Sequence, residues 1–337
     1  MKYSFIIPVF NRPDEVDELL DSLTKQSLKD FEVVVVEDGS SVKCDNVVKA
    51  YENRLNIKYF LKANSGPGQT RNYGVDRAEG EYVLILDSDV VLPTDYLQAV
   101  DAELRRQPCD AFGGPDRAHS SFSLMQKAIN YAMTSFFTTG GIRGGKKMLD
   151  KFYPRSFNMG VRREVYLALE GFSKMRFGED IDFSTRIFKG GYSCRLFPEA
   201  WVWHKRRTDL KKFFKQVHNS GIARINLTKR HPGTLKAVHL LPAVFTVGCA
   251  LLVVLTVVAA LCGCPHWWAL LTPFAVFSLI IFADSALQSH SLQVGIRAVA
   301  ASFIQLWGYG TGFVRAWWER CVLGRGEFEA FKHNFYK

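Results

Sequence analysis

The feature that most constrains this sequence is a long stretch without charged side chains. From His239 to Cys262, about 24 residues contain no Asp, Glu, Lys or Arg, which is enough for a helix to cross a bilayer. A second apolar run, from Trp267 to Leu287, is interrupted only by Asp284. Because a short Gly-Cys-Pro-His turn joins the two runs, the pattern predicts a hairpin of two membrane spans.

Basic residues lie directly before this hairpin. Ten Lys or Arg residues and one acid, Asp209, occur between Lys205 and Lys236, and residues 201–337 hold all the excess positive charge of a chain with net charge +10. Basic residues beside an apolar span favour the cytoplasmic face and anionic lipids. No nucleic-acid-binding motif accompanies them, so we expect membrane lipids and no nucleic acid as partners.

The C-terminal part is predicted to consist of three regions. Residues 206–236 form a basic amphipathic helix and linker, 237–320 form the membrane region, and 321–337 form a cytoplasmic tail. The segment from Val294 to Val314 carries Arg297 and is ambiguous. Positive charge on both sides favours an even number of crossings, so we expect it to lie along the cytoplasmic interface, with a third span as the alternative.

The N-terminal part is predicted to lie in the cytoplasm. The first apolar run, from Phe5 to Phe10, is too short for a signal peptide and contains Pro8. The seven cysteines show neither a disulfide framework nor zinc-type spacing, which fits reduced thiols. We therefore expect a multi-pass protein of the cytoplasmic membrane whose first domain, residues 1–205, faces the cytoplasm.

Strand and helix patterns alternate over the first 120 residues. Short β-rich runs at Tyr3–Val9, Val33–Val36, Ile57–Leu61 and Tyr82–Leu86 are separated by helical patterns. This alternation predicts an α/β fold with a mostly parallel, Rossmann-like sheet flanked by helices.

Residues 121–200 are less regular. We predict helices at Phe122–Phe137, Glu164–Leu169 and Asp180–Lys189. The stretch from Thr138 to Lys147 is rich in glycine and basic residues. It is either a loop that closes over a ligand or a surface linker.

Polar residues follow four predicted strands. Ligands of a parallel sheet bind at this place, beyond the carboxyl ends of the strands. Asp87, Ser88 and Asp89 follow the fourth strand, and Asp38 follows the second. Carboxylates in this position suit Mg²⁺ or Mn²⁺ together with substrate phosphates. An Asp-x-Asp sequence is also common in ordinary turns, and only its place beside the other strand ends favours the metal.

Three further signals are individually weak. The turn from Asn64 to Asn72 is Gly-rich and contains Arg71, so it suits a phosphate. Glu179 and Asp180 open a helix, where acids are stabilised by the helix dipole or act as a general base. His204 is a possible metal ligand, although a lone histidine is more often structural.

Taken together, these residues resemble the family-2 glycosyltransferases, which are inverting enzymes with the GT-A fold. The resemblance covers about residues 1–205 in order. It is carried by Ser4–Asn11, Val36–Ser40, Gly68–Gly74, Gly80, Leu86–Asp89, Ser156–Arg163, Glu170–Phe172, Gly178–Asp182 and His204. Phe112–Pro115, the Gly-rich loop and the membrane hairpin are similar to the exopolysaccharide branch, including succinoglycan-type transferases.

The resemblance implies a role for each matching residue. Asp180 is the expected base, with Glu179 beside it, and Asp89 and His204 are the expected metal ligands. The remaining positions are expected to bind the nucleotide-sugar: Pro8, Phe10, Asn11, Asp38, Arg71, Asp87, Ser88 and Asn158. The expected donor is a nucleoside-diphosphate sugar, above all a UDP-sugar, and the expected acceptor is a lipid-linked or other glycan.

One departure narrows the expected activity. Processive members of the superfamily carry Gln-x-x-Arg-Trp after the catalytic acid, whereas here Gln216 is followed by Val-His-Asn-Ser and the next arginine is Arg224. We therefore expect one sugar per encounter. The alternatives are sugar transfer to polyprenyl phosphate and a non-catalytic membrane scaffold. A transporter is disfavoured because two or three spans make a poor pathway.

Overall fold

The computed structural model describes residues 1–117, 122–140, 152–175 and 177–327. They divide into two compact units. The sheet unit comprises the described residues of 1–117 and 152–205, and the helical unit comprises 122–140 and 206–327. The helical unit thus includes residues 122–140, which the sequence analysis placed in the first domain.

The described residues contain ten strands and twelve α-helices. The strands are β1 (Tyr3–Val9), β2 (Phe31–Asp38), β3 (Ile57–Lys62), β4 (Tyr82–Leu86), β5 (Val90–Val91), β6 (Ala111–Gly113), β7 (Asp116–Arg117), β8 (Asn158–Arg162), β9 (Cys194–Leu196) and β10 (Val202–His204). The helices are α1 (Pro13–Thr24), α2 (Asp45–Lys49), α3 (Pro67–Val75), α4 (Tyr96–Arg106), α5 (Leu124–Thr134), α6 (Phe136–Thr139), α7 (Arg163–Ala168), α8 (Glu179–Lys189), α9 (Leu210–Arg230), α10 (Ala237–Leu261), α11 (Thr272–Ser289) and α12 (Leu292–Trp317). A 3₁₀ turn, Trp267–Leu271, precedes α11, and a π-helical turn, Trp318–Val322, follows α12.

The sheet unit is built on a seven-stranded sheet in the order β3-β2-β1-β4-β8-β6-β9. Strands β1 to β4 are parallel, as the alternation of strand and helix patterns predicted. Strand β8 runs antiparallel between β4 and β6. A small second sheet has the order β5-β10-β7. The predicted α/β class is therefore confirmed, with an antiparallel strand that the sequence pattern did not indicate.

Both faces of the main sheet are buried. Phe5 and Ile7 of β1 point into the core on one face, and Ile6 points into the core on the other. Val33 and Val34 of β2 are divided in the same way. Side chains alternate across a strand, so a strand covered on both sides reads as a continuous apolar run. This explains why β1, β2 and β4 were recognisable from the sequence.

One predicted helix is divided in the structure. Instead of a single helix at 122–137, α5 ends at Thr134 and α6 starts at Phe136. Ser135 between them is extended, with ψ 142°, and its hydroxyl accepts a hydrogen bond from the backbone N–H of Phe137. A serine side chain can replace a backbone partner in this way, so that one helix ends and the same residue caps the start of the next.

Helix α12 packs against α9 through glycines. A Cβ atom on Gly312 would lie 2.0 Å from the carbonyl oxygen of His218, and one on Gly221 would lie 2.1 Å from the carbonyl oxygen of Tyr309. The two helices run parallel, because later residues of α9 meet later residues of α12. Their backbones approach so closely that no side chain fits between them at these positions.

The same helix contacts both arms of the predicted hairpin. Near its start, Gly295 lies against Phe282 and Ala286 in the last turns of α11, and further along Gly310 lies against Pro242 and Thr246 in the first turns of α10. Those turns are the two open ends of the hairpin. Helix α12 therefore runs from one open end towards the other.

Two helical segments of the described chain are long and apolar enough to cross a membrane. They are Ala237–Leu261 and Trp267–Ser289, and 11% of the most apolar window of each is buried. Most of their side chains are therefore exposed, in contrast with the core helices of a water-soluble domain. Helix α12 does not meet the same criterion within the described residues.

Candidate active site and metal centre

The carboxyl ends of β1, β2 and β4 lie side by side because these strands are parallel neighbours. Asp38 ends β2, and Asp87 follows directly after β4. The structure thus brings the residues that follow the strands to one edge of the sheet, as predicted. Everything described below lies at or beside this edge.

Asp87, Asp89 and His204 form the cluster best suited to a metal. One possible ligand atom from each of the three lies within 4.8 Å of the others. His204 arrives there because β10 pairs with β5, which places His204 opposite Val90, next to Asp89. The imidazole stacks on the Phe157 ring, with 4.8 Å between centroids. A histidine remote in sequence therefore joins the Asp-x-Asp turn through the small second sheet.

Asp89 is the most enclosed of these three residues, with 9% of its surface exposed. Its Oδ2 accepts a 2.7 Å hydrogen bond from Arg12 Nη1, and its Oδ1 lies 3.3 Å from His204 Nε2. Burial alone would raise the pKa of the carboxyl, but His204 and Arg12 outweigh burial and hold the pKa well below its ordinary value. Asp89 is therefore a carboxylate, which is the form that binds cations.

Arg71 links the metal cluster to the start of α8. Its guanidinium is 3% exposed and donates to Asp87 Oδ1 at 2.6 Å and to Glu179 Oε1 at 3.3 Å. Burial raises the pKa of Glu179 to about 7, although Arg71 opposes the rise. The buried guanidinium of Arg71 therefore binds two carboxyl groups that are far apart in sequence.

Asp180, the predicted base, pairs with a residue that the sequence analysis did not single out. Its Oδ2 lies 2.8 Å from Arg155 Nε, and its Oδ1 accepts a hydrogen bond from the backbone N–H of Ile181. The side chain of Asp180 is 13% exposed. Gly178, with φ 82°, precedes the helix and sets the direction in which α8 begins. The carboxylate is held in place from two sides.

Asp38 holds the Gly-rich turn before α3. Its Oδ1 accepts hydrogen bonds from Lys62 Nζ at 2.6 Å and the Ser65 backbone N–H at 2.8 Å, and its Oδ2 accepts one from the Gly66 N–H. Asp38 is 1% exposed. In this structure its carboxylate fixes the shape of the loop that leads to Arg71.

Asn11 performs a similar task for the loop after β2. Its Oδ1 accepts hydrogen bonds from the backbone N–H groups of Ser41 and Val42 at 2.8 and 2.9 Å. Asn11 itself has φ 53°, a left-handed conformation that asparagine tolerates better than most residues. Pro8 and Phe10 beside it are partly exposed, whereas Ser88 is buried.

Asn158 is placed by the sheet and by two hydrogen bonds. Its Oδ1 accepts a hydrogen bond from Tyr96 OH at 2.7 Å, and its Nδ2 donates to the Ala200 carbonyl at 2.8 Å. Asn158 is 1% exposed and lies opposite Leu86, the last residue of β4. Its role towards a sugar stays a prediction.

Two arginines at the site were missed by the sequence analysis, namely Arg12 and Arg155. Arg12 directly follows the Pro8–Asn11 segment, so its position in the sequence could have indicated that it belongs to the site. The loop predicted at Thr138–Lys147 lies outside the described residues after Gly140, and its role stays a prediction.

Comparison with known proteins assigns the part of the sheet unit that precedes Glu179, Asp180 and His204. Residues 4–169 match the family described as Glycosyl transferase family 2. Residues 4–169 therefore form a glycosyl transferase family 2 domain. The match extends from the start of β1 to the end of α7, and it includes Arg12, Arg71, Asp87 and Asp89.

Two relatives of this chain have activities stated in their names. TarS of Staphylococcus aureus, a poly(ribitol-phosphate) beta-N-acetylglucosaminyltransferase, is 40% identical over 135 residues, which are 39% of this chain and 22% of TarS. A GalNAc(5)-diNAcBac-PP-undecaprenol beta-1,3-glucosyltransferase of Campylobacter jejuni is 35% identical over 115 residues, which are 33% of this chain and 37% of that protein. The matching part therefore spans well under two thirds of either relative.

Solved structures of glycosyltransferases share the fold of this chain. The mannosyltransferase PcManGT of Pyrobaculum calidifontis, in complex with GDP-Man and Mn²⁺, aligns with a TM-score of 0.63 and 20% identity, covering 89% of this chain and 86% of that chain. Residues 1–349 of TarS in complex with UDP align with a TM-score of 0.50 and 21% identity, covering 97% and 93%. These likenesses confirm the GT-A fold.

Proposed function

We propose that this chain transfers a sugar from a nucleoside-diphosphate sugar, a UDP-sugar first of all, to a hydroxyl of a lipid-linked glycan. The observation that carries the proposal is the convergence of Asp87, Asp89 and His204 with Arg71, Glu179 and Asp180 at one edge of a family 2 sheet. The complexes of PcManGT with GDP-Man and of TarS with UDP support a nucleotide-linked donor.

The donor set fits Mg²⁺ or Mn²⁺. Two carboxylates and an imidazole supply hard or borderline ligands, and the buried Asp89 Oδ1 has no hydrogen bond of good geometry from the described residues. Asp87, Asp89 and His204 would hold the ion. A bound divalent cation would offset the negative charge that develops on the departing nucleoside diphosphate.

Asp180 is proposed as the general base. Its carboxylate would accept the proton of the acceptor hydroxyl while that hydroxyl attacks the anomeric carbon from the face opposite the leaving group, so the configuration inverts. Arg155 at 2.8 Å holds the carboxylate in one orientation. No covalent sugar–enzyme intermediate is required, since the attacking hydroxyl forms the new bond directly.

Glu179 is proposed to support this base rather than to replace it. Its carboxyl is bound to Arg71, which in turn holds Asp87. The Arg71 side chain would therefore keep the acceptor side and the metal side at a fixed distance. With a pKa raised to about 7, Glu179 itself exchanges protons near neutral pH, so its contribution must be tested separately.

The nucleotide is proposed to lie against the loops after β1 and β2. Pro8, Phe10 and Asn11 border this place, and Asp38 fixes the loop beyond them. Ser88 and Asn158 are assigned to the sugar side. These assignments follow the family resemblance, and the positions of the residues at one edge support them.

The decisive experiment measures release of nucleoside diphosphate from a panel of nucleotide-sugars with Mn²⁺ or Mg²⁺. We expect release by the wild type that chelation stops, and none by Asp89→Ala. Asp95→Ala, which removes an exposed acid outside the cluster, is the matched control and should behave as wild type. Release by Asp89→Ala at the wild-type rate would refute the metal site. Polyprenyl phosphate as sole acceptor tests the alternative transfer.

Membrane insertion is proposed from the two apolar helices, with the sheet unit on the cytoplasmic side. The Campylobacter relative, whose name specifies an undecaprenol-linked acceptor, supports a membrane-bound substrate. Native cysteines allow a direct test, because Cys262 and Cys264 lie in the hairpin turn and Cys321 follows α12, all exposed.

An impermeant maleimide applied to sealed vesicles is expected to label Cys262 and Cys264 from the outer face and Cys321 from the inner face only. Serine variants at each position identify the labelled site. Labelling of Cys321 from the outer face together with Cys262 and Cys264 would mean that α12 is a third span, whereas labelling of all three from the inner face only would exclude the hairpin.

A further inference from the structure

Two arginines in the helical unit have buried donor atoms without acceptors. Arg224 Nε and Arg320 Nε and Nη1 are buried, and none of them has a hydrogen-bond partner among the described residues. A buried N–H of a charged group that makes no hydrogen bond costs free energy, and the cost is larger than for a neutral group. Such atoms call for an acceptor that is not part of the described chain.

Arg224 lies on α9 and Arg320 lies in the π-helical turn that follows α12. Arg224 is three residues beyond Gly221, which touches the Tyr309 carbonyl, and Arg320 is four residues beyond the buried Ala316. Helical side chains lean towards the N-terminus, so Arg320 leans back towards the level of Arg224. Lys229 Nζ donates to the Arg320 carbonyl at 2.6 Å, which fixes the local register.

Acids in this part of the unit are already paired. Glu319 binds Arg315 at 3.0 Å, and Glu327 binds Arg230 at 3.1 Å. Within the described residues, no carboxylate forms a salt bridge with Arg224 or Arg320. Two guanidinium groups therefore occur in this part of the unit without a carboxylate counter-ion among the described residues.

We propose that Arg224 and Arg320 form a site for the phosphate group of an anionic membrane lipid. Several guanidinium donors on one side match the several oxygens of a phosphate, which arginine can bind in a bidentate manner. The site is distinct from the nucleotide-sugar edge, because it lies wholly on helices of the other unit.

The surroundings favour a lipid over a free anion. Further back along α12, Gly310 packs on Pro242 in the first turns of α10, the first candidate span. Trp317 and Trp318, three and two residues before Arg320, are 47% and 52% exposed. Exposed tryptophans are typical of the membrane interface, where lipid phosphates lie. This part of the inference rests on the membrane insertion proposed above.

The test titrates the full chain in detergent with dihexanoyl phosphatidylglycerol and measures affinity by calorimetry. The variant Arg224→Lys with Arg320→Lys keeps both charges but loses the forked donors, and about tenfold weaker binding is expected. The matched control, Lys211→Gln with Lys212→Gln, removes two exposed charges from the other end of α9 and should bind like wild type.

Three outcomes would overturn the proposal. Equal weakening in the control would show a diffuse positive field, and unchanged affinity in the arginine variant would show that these side chains do not bind lipid. Inorganic phosphate that binds as tightly as the lipid would mean a site for a free anion. Nucleoside diphosphate release by the arginine variant serves as the control for folding, and it separates this site from the proposed transferase activity.

Discussion

The two units of this chain differ in which groups are packed closely together. In the sheet unit, charged groups approach one another and are paired, as Arg71 is with Asp87 and Glu179. In the helical unit, helix backbones approach one another closely at glycines, which have no side chain, as at Gly221 and Gly312. The first arrangement places charge where chemistry can use it, whereas the second only brings helices together. Substitutions should therefore affect mainly activity in the sheet unit and mainly stability in the helical unit.

The largest expected effect is on turnover in the sheet unit. Asp180→Asn keeps the shape of the side chain and removes the proposed base, so kcat should fall by about 10²–10⁴-fold. Nucleotide binding and thermal stability should change little. Steady-state kinetics beside a binding titration separate the two quantities, and a near wild-type kcat would show that the base is another residue, with Glu179→Gln as the next variant.

The second expected effect is on stability in the helical unit. Gly312→Ala places a Cβ 2.0 Å from the His218 carbonyl oxygen, a backbone atom that cannot move away alone. We expect a loss of about 1–3 kcal/mol, measured by thermal or denaturant unfolding in detergent. Gly248→Ala is the matched control, because a Cβ there meets nothing within 4 Å, and it should be neutral or slightly stabilising. Equal losses in both variants would contradict the close approach.

A third prediction concerns pH and Glu179. Its pKa is raised from the ordinary 4.5 to about 7, mainly by burial, so the folded protein holds a proton that the unfolded chain has released. This stabilising contribution is complete below about pH 4.5 and is lost as the pH rises towards 7. Glu179→Gln should flatten the stability profile between these values. An identical slope in wild type and variant would show that another group titrates.

The smallest expected effect tests a polar contact within the helical unit. Tyr131 OH donates to Asp284 Oδ2 at 2.5 Å, joining α5 to α11. Tyr131→Phe should destabilise the protein by about 1–2 kcal/mol, since one hydrogen bond is lost while Gln288 still donates to the same carboxyl. Unfolding measured beside Tyr153→Phe, which lies in the other unit, gives the comparison. No change would mean that this contact does not hold α5 in place.

The sequence revealed those parts of the fold that repeat a local pattern. Strand β4 was predicted at its observed bounds, Tyr82–Leu86, because a strand buried on both faces is continuously apolar. Strand β8, Asn158–Arg162, was missed because its mixed residues show no such period. Only pairing with β4 and β6 makes it a strand, and the pairing with β4 joins residues about 75 positions apart along the chain.

The same limit applies to the site. Asp87, Asp89 and Asp180 were recognisable because they follow a strand or open a helix. Arg12 and Arg155 were not recognisable, because their contribution to the site depends on partners elsewhere in the chain. Arg12 meets Asp89 across 77 positions. Residue type and local position predicted the acids, and only the folded chain shows which cations neutralise them.

Each carboxylate of the Asp-x-Asp turn already accepts a hydrogen bond from a guanidinium group, Asp89 from Arg12 and Asp87 from Arg71. The turn is therefore close to electrically neutral. A divalent cation arriving alone meets two positive groups, and a diphosphate arriving alone meets two negative ones, whereas together their charges largely cancel. We expect metal and nucleotide to bind cooperatively, each raising the affinity of the other by the same factor.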